Sequence, residues 1–328
     1  MRLGRVVLIL VSVGVLIGIT GVPAEATKRI TEYSIPTAGS VPIGIVSGPD
    51  GNLWFTESIG KIGRITTEGA IIEYRIPTRY SFPIGIAPGP DGNLWFTERI
   101  GSKIGRITTE GTITEYPTGC CPSAIASGPD GNLWFTESSG KIGRITTEGA
   151  ITEYPIPTPG STPVGIASAP DGNLWFTESH GNNLGRITTE GAITEYPIPT
   201  PESAPWGIAS GPDGKLWFTE YIGNNIGRIT TEGAITEYPI PTGFARPLSI
   251  ASGPDGNLWF TEFQQSANNI GRITTHGVIT EYPVPTASGQ PQGVASGPDQ
   301  RIWFVETNGN KVGALRPSAA SPRNYPEV

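Results

Sequence analysis

A tryptophan returns at near-constant intervals along the chain: Trp54, Trp95, Trp134, Trp175, Trp217, Trp259 and Trp303 are separated by 41, 39, 41, 42, 42 and 44 residues. Each lies in a close copy of Gly-Pro-Asp-Gly-Asn-Leu-Trp-Phe-Thr-Glu, first met at residues 48–57. An internal period constrains a fold more than composition does, because every unit must pack on the next in the same way and the array must close or be capped. A period of about 42 matches four-stranded propeller blades and exceeds the helix-pair repeats of 33 and 34, while HEAT-type helical repeats overlap it in length.

The residues within a unit decide between the two. Residues 163–168 (PVGIAS), 174–178 (LWFTE), 184–189 (LGRITT) and 192–196 (AITEY) are short and rich in β-branched and aromatic residues. Turn chemistry separates them, with Asp-Gly in the first hairpin, Glu-Gly in the third and Pro-x-Pro-Thr before the next unit. They read as strands a, b, c and d, innermost to outermost. The chain is therefore expected to be all-β, a seven-bladed β-propeller with four-stranded blades spanning residues 27–316, followed by a C-terminal tail, 317–328. Residues 30–33 form a d segment with nothing before it, and 311–315 a c segment with nothing after it. The N-terminal strand is thus expected to complete the last blade and leave the ring without an open edge.

Residues 1–26 read as a secretory signal: Arg2 and Arg5 precede an apolar run from residue 6 to 19, and Ala24-Glu25-Ala26 is a cleavage site. The run is shorter than the roughly 20 residues of a spanning helix, so the mature chain is expected to be secreted or periplasmic, with no membrane attachment after cleavage. Net charge is −7 over the whole chain and −8 once Arg2, Arg5 and Glu25 are removed. Such an acidic surface disfavours nucleic acid. Cys120 and Cys121 are adjacent and cannot staple distant segments; a vicinal disulfide, a bridge to another chain and two free thiols are the options. The chain is expected to be a monomer.

Within the repeat, Trp and Phe are expected between neighbouring blades. The glutamate ending each strand b (Glu57, Glu98, Glu137, Glu178, Glu220, Glu262 and Glu306) is expected to pair with Arg64 and its counterparts, a ring of metal ligands being the other reading. The a-b and c-d turns hardly vary, whereas the d-a loops do, so the face carrying the d-a and b-c loops is the expected binding surface for a small molecule or peptide. It gathers Tyr80, Phe82, Trp206, Tyr221, Phe244, Arg246, Phe263, Gln264, Gln290 and Gln292. Trp206 is the one tryptophan outside the seven-fold set. Of two histidines, His276 falls on the opposite face and His180 on the loop face, where it is the only neutral-pH base.

The WFTE, IGRIT and ITEYPIPT segments, repeated over the whole mature chain, resemble the virginiamycin B lyase (streptogramin lyase) family. That resemblance implies a seven-bladed propeller that opens a cyclic depsipeptide antibiotic by elimination, with magnesium and a histidine general base. In the family the functional histidines stand between Pro and the next small residue of strand a in the last two blades. Those positions are Leu248 and Gln292 here, and neither can act as a base. Ile43 takes the place of the family's tyrosine and Gln290 that of a glutamate. The metal-binding glutamate falls on Thr307 by count from Trp303, with Glu306 beside it. The expectation is an exported propeller that binds a ligand or partner on its loop face without the family's catalytic set. The alternatives are a lyase using a relocated site such as His180 with Glu306, and a structural envelope repeat protein.

Overall fold

A computed structural model of the chain describes residues 29–317, so the segment read as a signal peptide lies outside the described residues. Among the described residues there is no helix, and twenty-eight strands, β1 to β28, form seven four-stranded antiparallel sheets. Blade 1 consists of β2 (Pro42–Ser47), β3 (Leu53–Glu57), β4 (Lys61–Ile65) and β5 (Ile71–Arg75). Blades 2 to 6 repeat it over residues 83–117, 122–155, 163–197, 205–239 and 247–283. Blade 7 joins β26 (Pro291–Ser296), β27 (Ile302–Glu306) and β28 (Lys311–Leu315) to β1 (Ile30–Ser34), whose Tyr33 lies opposite Val312. The N-terminal strand thus closes the ring, as the offset segments at the two chain ends imply.

Alternation along strand b divides the blade's contacts between two neighbours. Leu53 and Phe55 pack with Trp303 and Val312 of blade 7, whereas Trp54 packs with Ile86, Leu94 and Phe96 of blade 2. Trp54 is fully buried, stacks on Tyr74 and donates its indole N–H to Asp50 at 3.0 Å. Gly63 faces the Phe55 ring so closely that an added Cβ would lie 2.1 Å from it, which is why strand c carries glycine there.

Two hydrogen-bonded rings clasp the inner strands. Thr56 accepts from Gly44 N and donates to Ile84 O of the next blade at 2.8 Å, and Thr97, Thr136, Thr177, Thr219 and Thr261 do the same in turn. Toward the other end of the channel, Ser47 donates to Ser296 O, and the chain of serines continues backward through Ser252, Ser210, Ser168 and Ser127 to Pro88 O. Each ring lacks one link, because Val305 stands at the threonine position of blade 7 and Pro88 at the serine position of blade 2.

Such a threonine joins two backbone groups of the inner strands, one of them buried, so Thr219→Val, which leaves Gly207 N and Leu248 O without it, is expected to cost about 1–3 kcal/mol. Val305→Thr, which offers a hydroxyl to Ile43 O at the missing link, is expected to add roughly 1 kcal/mol. Denaturant unfolding midpoints of both variants check this; a neutral Thr219→Val would remove the threonine ring from the account of stability.

Candidate functional site

The seven inner strands enclose a cavity of about 420 Å³ that opens on the loop face. A bulge at the start of each strand a, between Pro42 and Ile45 in blade 1, frees the second residue from pairing with strand b. That residue lines the cavity in every blade: Ile43, Ile84, Ser123, Val164, Trp206, Leu248 and Gln292. The wall is aliphatic apart from Ser123, Ser249, Gln292 and the half-buried indole of Trp206, and Arg99 stands at the mouth beside Phe82 and Val41.

Of the residues singled out from sequence, Ile43, Phe82, Trp206, Leu248 and Gln292 line the cavity. The others surround or underlie it. Tyr221 lies tilted against Trp206 with ring centroids 5.7 Å apart, and Arg246 sits 5.4 Å above the Tyr221 ring while donating to its hydroxyl at 3.2 Å. Tyr80 and Phe244 project from the rim, 79% and 83% exposed. Phe263 and Gln264 hold the d-a loop of residues 242–246 by donating their backbone N–H groups to Arg246 O and Ala245 O. Gln290 takes a left-handed backbone and donates its N–H to Asn268 Oδ1. His180 is exposed on the b-c loop of blade 4, where its Nδ1 meets Thr162 Oγ1 at 2.8 Å, and it does not line the cavity. His276 is exposed on the opposite face beside Thr275. Cys120 and Cys121 are joined as a vicinal disulfide in the d-a loop of blade 3.

Two neighbouring residues of blade 7 part company. Thr307 Oγ1 bonds Pro42 O and Gln292 Oε1, both at 2.8 Å, and so stands beside the cavity wall. Glu306 points the other way, fully buried between Gly289 and Gly309, where an added Cβ on either glycine would lie 2.5 Å from its Oε2. The magnesium implied by the resemblance does not fit this donor set. Gln292 and Thr307 offer neutral oxygens bonded to each other, and magnesium in proteins is held through carboxylates. Among the described residues no three His, Cys, Asp or Glu side chains gather to hold a metal.

The expected pairing of the strand-b glutamates with arginines is not what forms. Arg64 is the cross-strand partner of Trp54; it lies 5.7 Å over the indole, 3.7 Å from Asp50, and donates to Thr109 O of blade 2. Glu57, three residues beyond Trp54, falls on the opposite side of the strand and pairs in register with Lys61. All seven strand-b glutamates are fully buried. Burial, reinforced by the neighbouring Glu73, pushes the Glu57 carboxyl up to about 8, and Glu98 and Glu306 behave alike beside Glu115 and Glu32. The strand-d partner keeps its charge: although burial opposes it, hydrogen bonds from Lys311 and Thr286 hold Glu32 below the usual range. In blades 1, 2 and 7 the inner carboxyl is thus pushed up while the outer one is held below the usual range.

Comparison with known proteins matches this architecture to a known family. The profile of the Virginiamycin B lyase family fits residues 22–201 and 166–323. The chain belongs to the virginiamycin B lyase family. It is 44% identical to virginiamycin B lyase from Staphylococcus aureus, with a TM-score of 0.84 over 88% of this chain and 99% of that one. A streptogramin B lyase structure is 42% identical at a TM-score of 0.83, covering 88% and 97%. A third neighbour, at 44% identity and a TM-score of 0.83, is a catalytically inactive histidine-to-alanine form of the S. aureus lyase with quinupristin. Within this family fold, cavity residues not singled out from the sequence include Arg99, Val41, Ser123 and Ser249. Arg99 directly follows a strand-b glutamate, the place Thr307 holds in blade 7, and that shared position was the available signal.

The inner carboxyls make stability depend on pH. A glutamate at about 8 when folded and near 4.5 when unfolded keeps its proton in the native chain across that window, so its contribution is full below 4.5 and is lost as pH rises through 8. Glu306→Gln keeps the size without the proton. Its unfolding midpoint is expected to fall less between pH 5 and 9 than that of the parent chain; equal slopes would mean that Glu306 ionises freely when folded.

Proposed function

We propose that this member of the virginiamycin B lyase family is a binding protein, holding a small and largely apolar ligand in the channel mouth without opening a lactone. The observation that carries the reading is the cavity wall itself. Ring opening by elimination needs a base within about 3 Å of the proton it removes, and the wall presents aliphatic side chains, Gln292, Trp206 and serine hydroxyls. The related S. aureus protein is inactive when one of its histidines becomes alanine, whereas both histidines of this chain stand outside the cavity lining. The cavity volume of about 420 Å³ falls in the range of small-molecule sites. Arg99 at one side of the mouth suits an anionic or acceptor group on the ligand, and the Trp206–Tyr221 pair across the channel suits an apolar or aromatic part. The segment at residues 1–26 supports an exported, secreted or periplasmic protein.

Seven of the eight tryptophans are fully buried, so Trp206 is the indole that reports on the channel. Titration with quinupristin is expected to change tryptophan emission saturably, and the response is expected to vanish in Trp206→Phe and weaken several-fold in Arg99→Ala. Incubation of the purified chain with the same compound and magnesium is expected to leave the ring intact. Elimination does not alter mass, so ring opening is read from chromatographic retention and fragmentation. A magnesium-dependent linear product abolished by His180→Ala would replace the binding reading with a relocated lyase site.

A further inference from the structure

The net charge of −7 is not spread evenly over the ring. The face away from the channel mouth carries an aspartate in each a-b hairpin, from Asp50 to Asp299, and a glutamate in five of the c-d turns, from Glu68 to Glu232. The d-a and b-c loops around the mouth carry one acid, Glu202, against three arginines, Arg79, Arg99 and Arg246. A fourth, Arg75, ends strand d of blade 1 on the same side. An acidic chain thus presents a cationic face around the entrance to its channel.

Three of these arginines gather where blade 1 meets blade 2, and each departs from the repeat. Arg75 stands where five blades have proline, Arg79 where the other full-length linkers have alanine, glycine or proline, and Arg99 where the other six blades have serine, threonine, tyrosine or phenylalanine. Those blades fold without a cation there, so neither turn chemistry nor blade packing requires one. All three arginines are exposed, and among the described residues none is in an ion pair. The acids nearby are already occupied or neutral: Glu73 pairs with Lys61 at 3.4 Å and Glu115 with Lys103 at 3.2 Å. Burial, reinforced by those two glutamates, pushes Glu57 and Glu98 up to about 8, which leaves them largely uncharged at neutral pH. Arg75 and Arg79 line a notch of about 110 Å³ with Ile59, Thr78 and Tyr80. Two residues on, Phe82 lines the channel beside Arg99. Arg99 and Ile100 donate their backbone N–H groups to Phe82 O and Ser81 O at 3.1 Å, so the notch and the channel mouth adjoin across one linker.

We propose that the channel selects an apolar anion, a compact aliphatic or aromatic body bearing one carboxylate or phosphate, with the body against the channel wall, the head group on Arg99, and Arg75 and Arg79 guiding it in along the junction of blades 1 and 2. The inference rests on the binding reading above and narrows it to one charge class. A guanidinium matches either head group with two parallel hydrogen bonds. Because Arg99 stands at the mouth, the head group keeps part of its water while the body gives up its own to the aliphatic wall. Arg75 and Arg79 act at longer range, raising the local concentration of anions through a field that salt screens. Arg246, stacked on Tyr221 across the mouth, adds to the same sign of potential.

One apolar body with three head groups tests this. Decanoate, 1-decanol and decylammonium, each below its micellar concentration at neutral pH, are titrated into the purified chain with Trp206 emission as the readout. Decanoate is expected to bind at least about tenfold tighter than decanol, and decylammonium more weakly than either. Arg99→Ala is expected to erase the preference for decanoate over decanol. The double variant Arg75→Ala, Arg79→Ala is expected to slow decanoate association roughly threefold at low ionic strength and not at about 1 M salt. All three positions are exposed and hold uncharged residues in the sister blades, so both variants are expected to fold. Equal affinities for decanoate and decanol, or tighter binding of decylammonium, would overturn the charge selection and leave the binding reading standing. A preference unchanged in Arg99→Ala would overturn the placement of the head group. No response to any of the three while quinupristin still titrates would overturn the inference alone, and no response to all four would overturn the binding reading with it.

Discussion

Everything in this molecule hangs on the tryptophan wedged between one blade and the next. A single four-stranded sheet has two faces to cover, and in a ring each face is covered by a neighbour. Trp54 fills that space from blade 1 by packing on Leu94 and Phe96 of blade 2, and its indole is fixed from three sides by Tyr74, Arg64 and Asp50. An aromatic side chain of this size buries 150–250 Å², which at about 25 cal/mol per Å² is roughly 4–6 kcal/mol as an upper estimate. Because every blade offers the same wedge and the same socket, the chain has little choice of register or partner, and the ring follows from the repetition.

The seam between blades 7 and 1 shows how much of the repeat can be exchanged while the wedge is kept. Blade 7 lacks the strand-c arginine, since Ala314 stands opposite Trp303. Arg301 compensates from the a-b hairpin, where most blades have asparagine, lying 4.6 Å over the Trp303 ring and bonding Asp299 and Thr67 O. The missing threonine link at Val305 is matched by Thr307, which bonds Pro42 O instead. Asn310 reaches across to Ser40, and Lys311 with Thr286 binds Glu32 on the N-terminal strand. Closure thus combines departures from the repeat, Arg301 and Thr307, with contacts that other blades also make, as Asn182 does to Ser203 and Lys103 to Glu115, and it fastens the first described strand to the last.

The ring, its blade number and its closure were readable because a period and two unmatched end segments admit few solutions. The destination of the strand-b glutamate was not read correctly, although the same alternation that buries Trp54 toward blade 2 turns Glu57 the other way, away from Arg64. Tracking parity along LWFTE corrects that reading from the sequence. The cavity wall was half visible: Trp206, Leu248 and Gln292 stood out, but Arg99 did not, because its claim rests on a position shared with Thr307 and not on any change in the repeat itself. Counting from Trp303 already favoured Thr307 over Glu306 as the cavity neighbour. The bulge and the two flanking glycines show that one faces inward between blades and the other toward Gln292.

The geometry of strand a explains how a family fold can persist while its chemistry changes. The second residue of each strand sits in a bulge, unpaired with strand b, and presents its side chain to the channel. What the scaffold uses at that residue is its carbonyl: Ile84, Ser123, Val164, Trp206, Leu248 and Gln292 all accept the threonine hydroxyl of the preceding blade through backbone oxygen. That bond is indifferent to the side chain attached. An aliphatic residue, a tryptophan or an amide can therefore occupy the position without disturbing either the threonine ring or the tryptophan wedges. Stability places little restraint on the residues that would decide between lyase and binding protein, so the site is free to diverge while the 88% of the chain aligned to an S. aureus lyase keeps 44% identity.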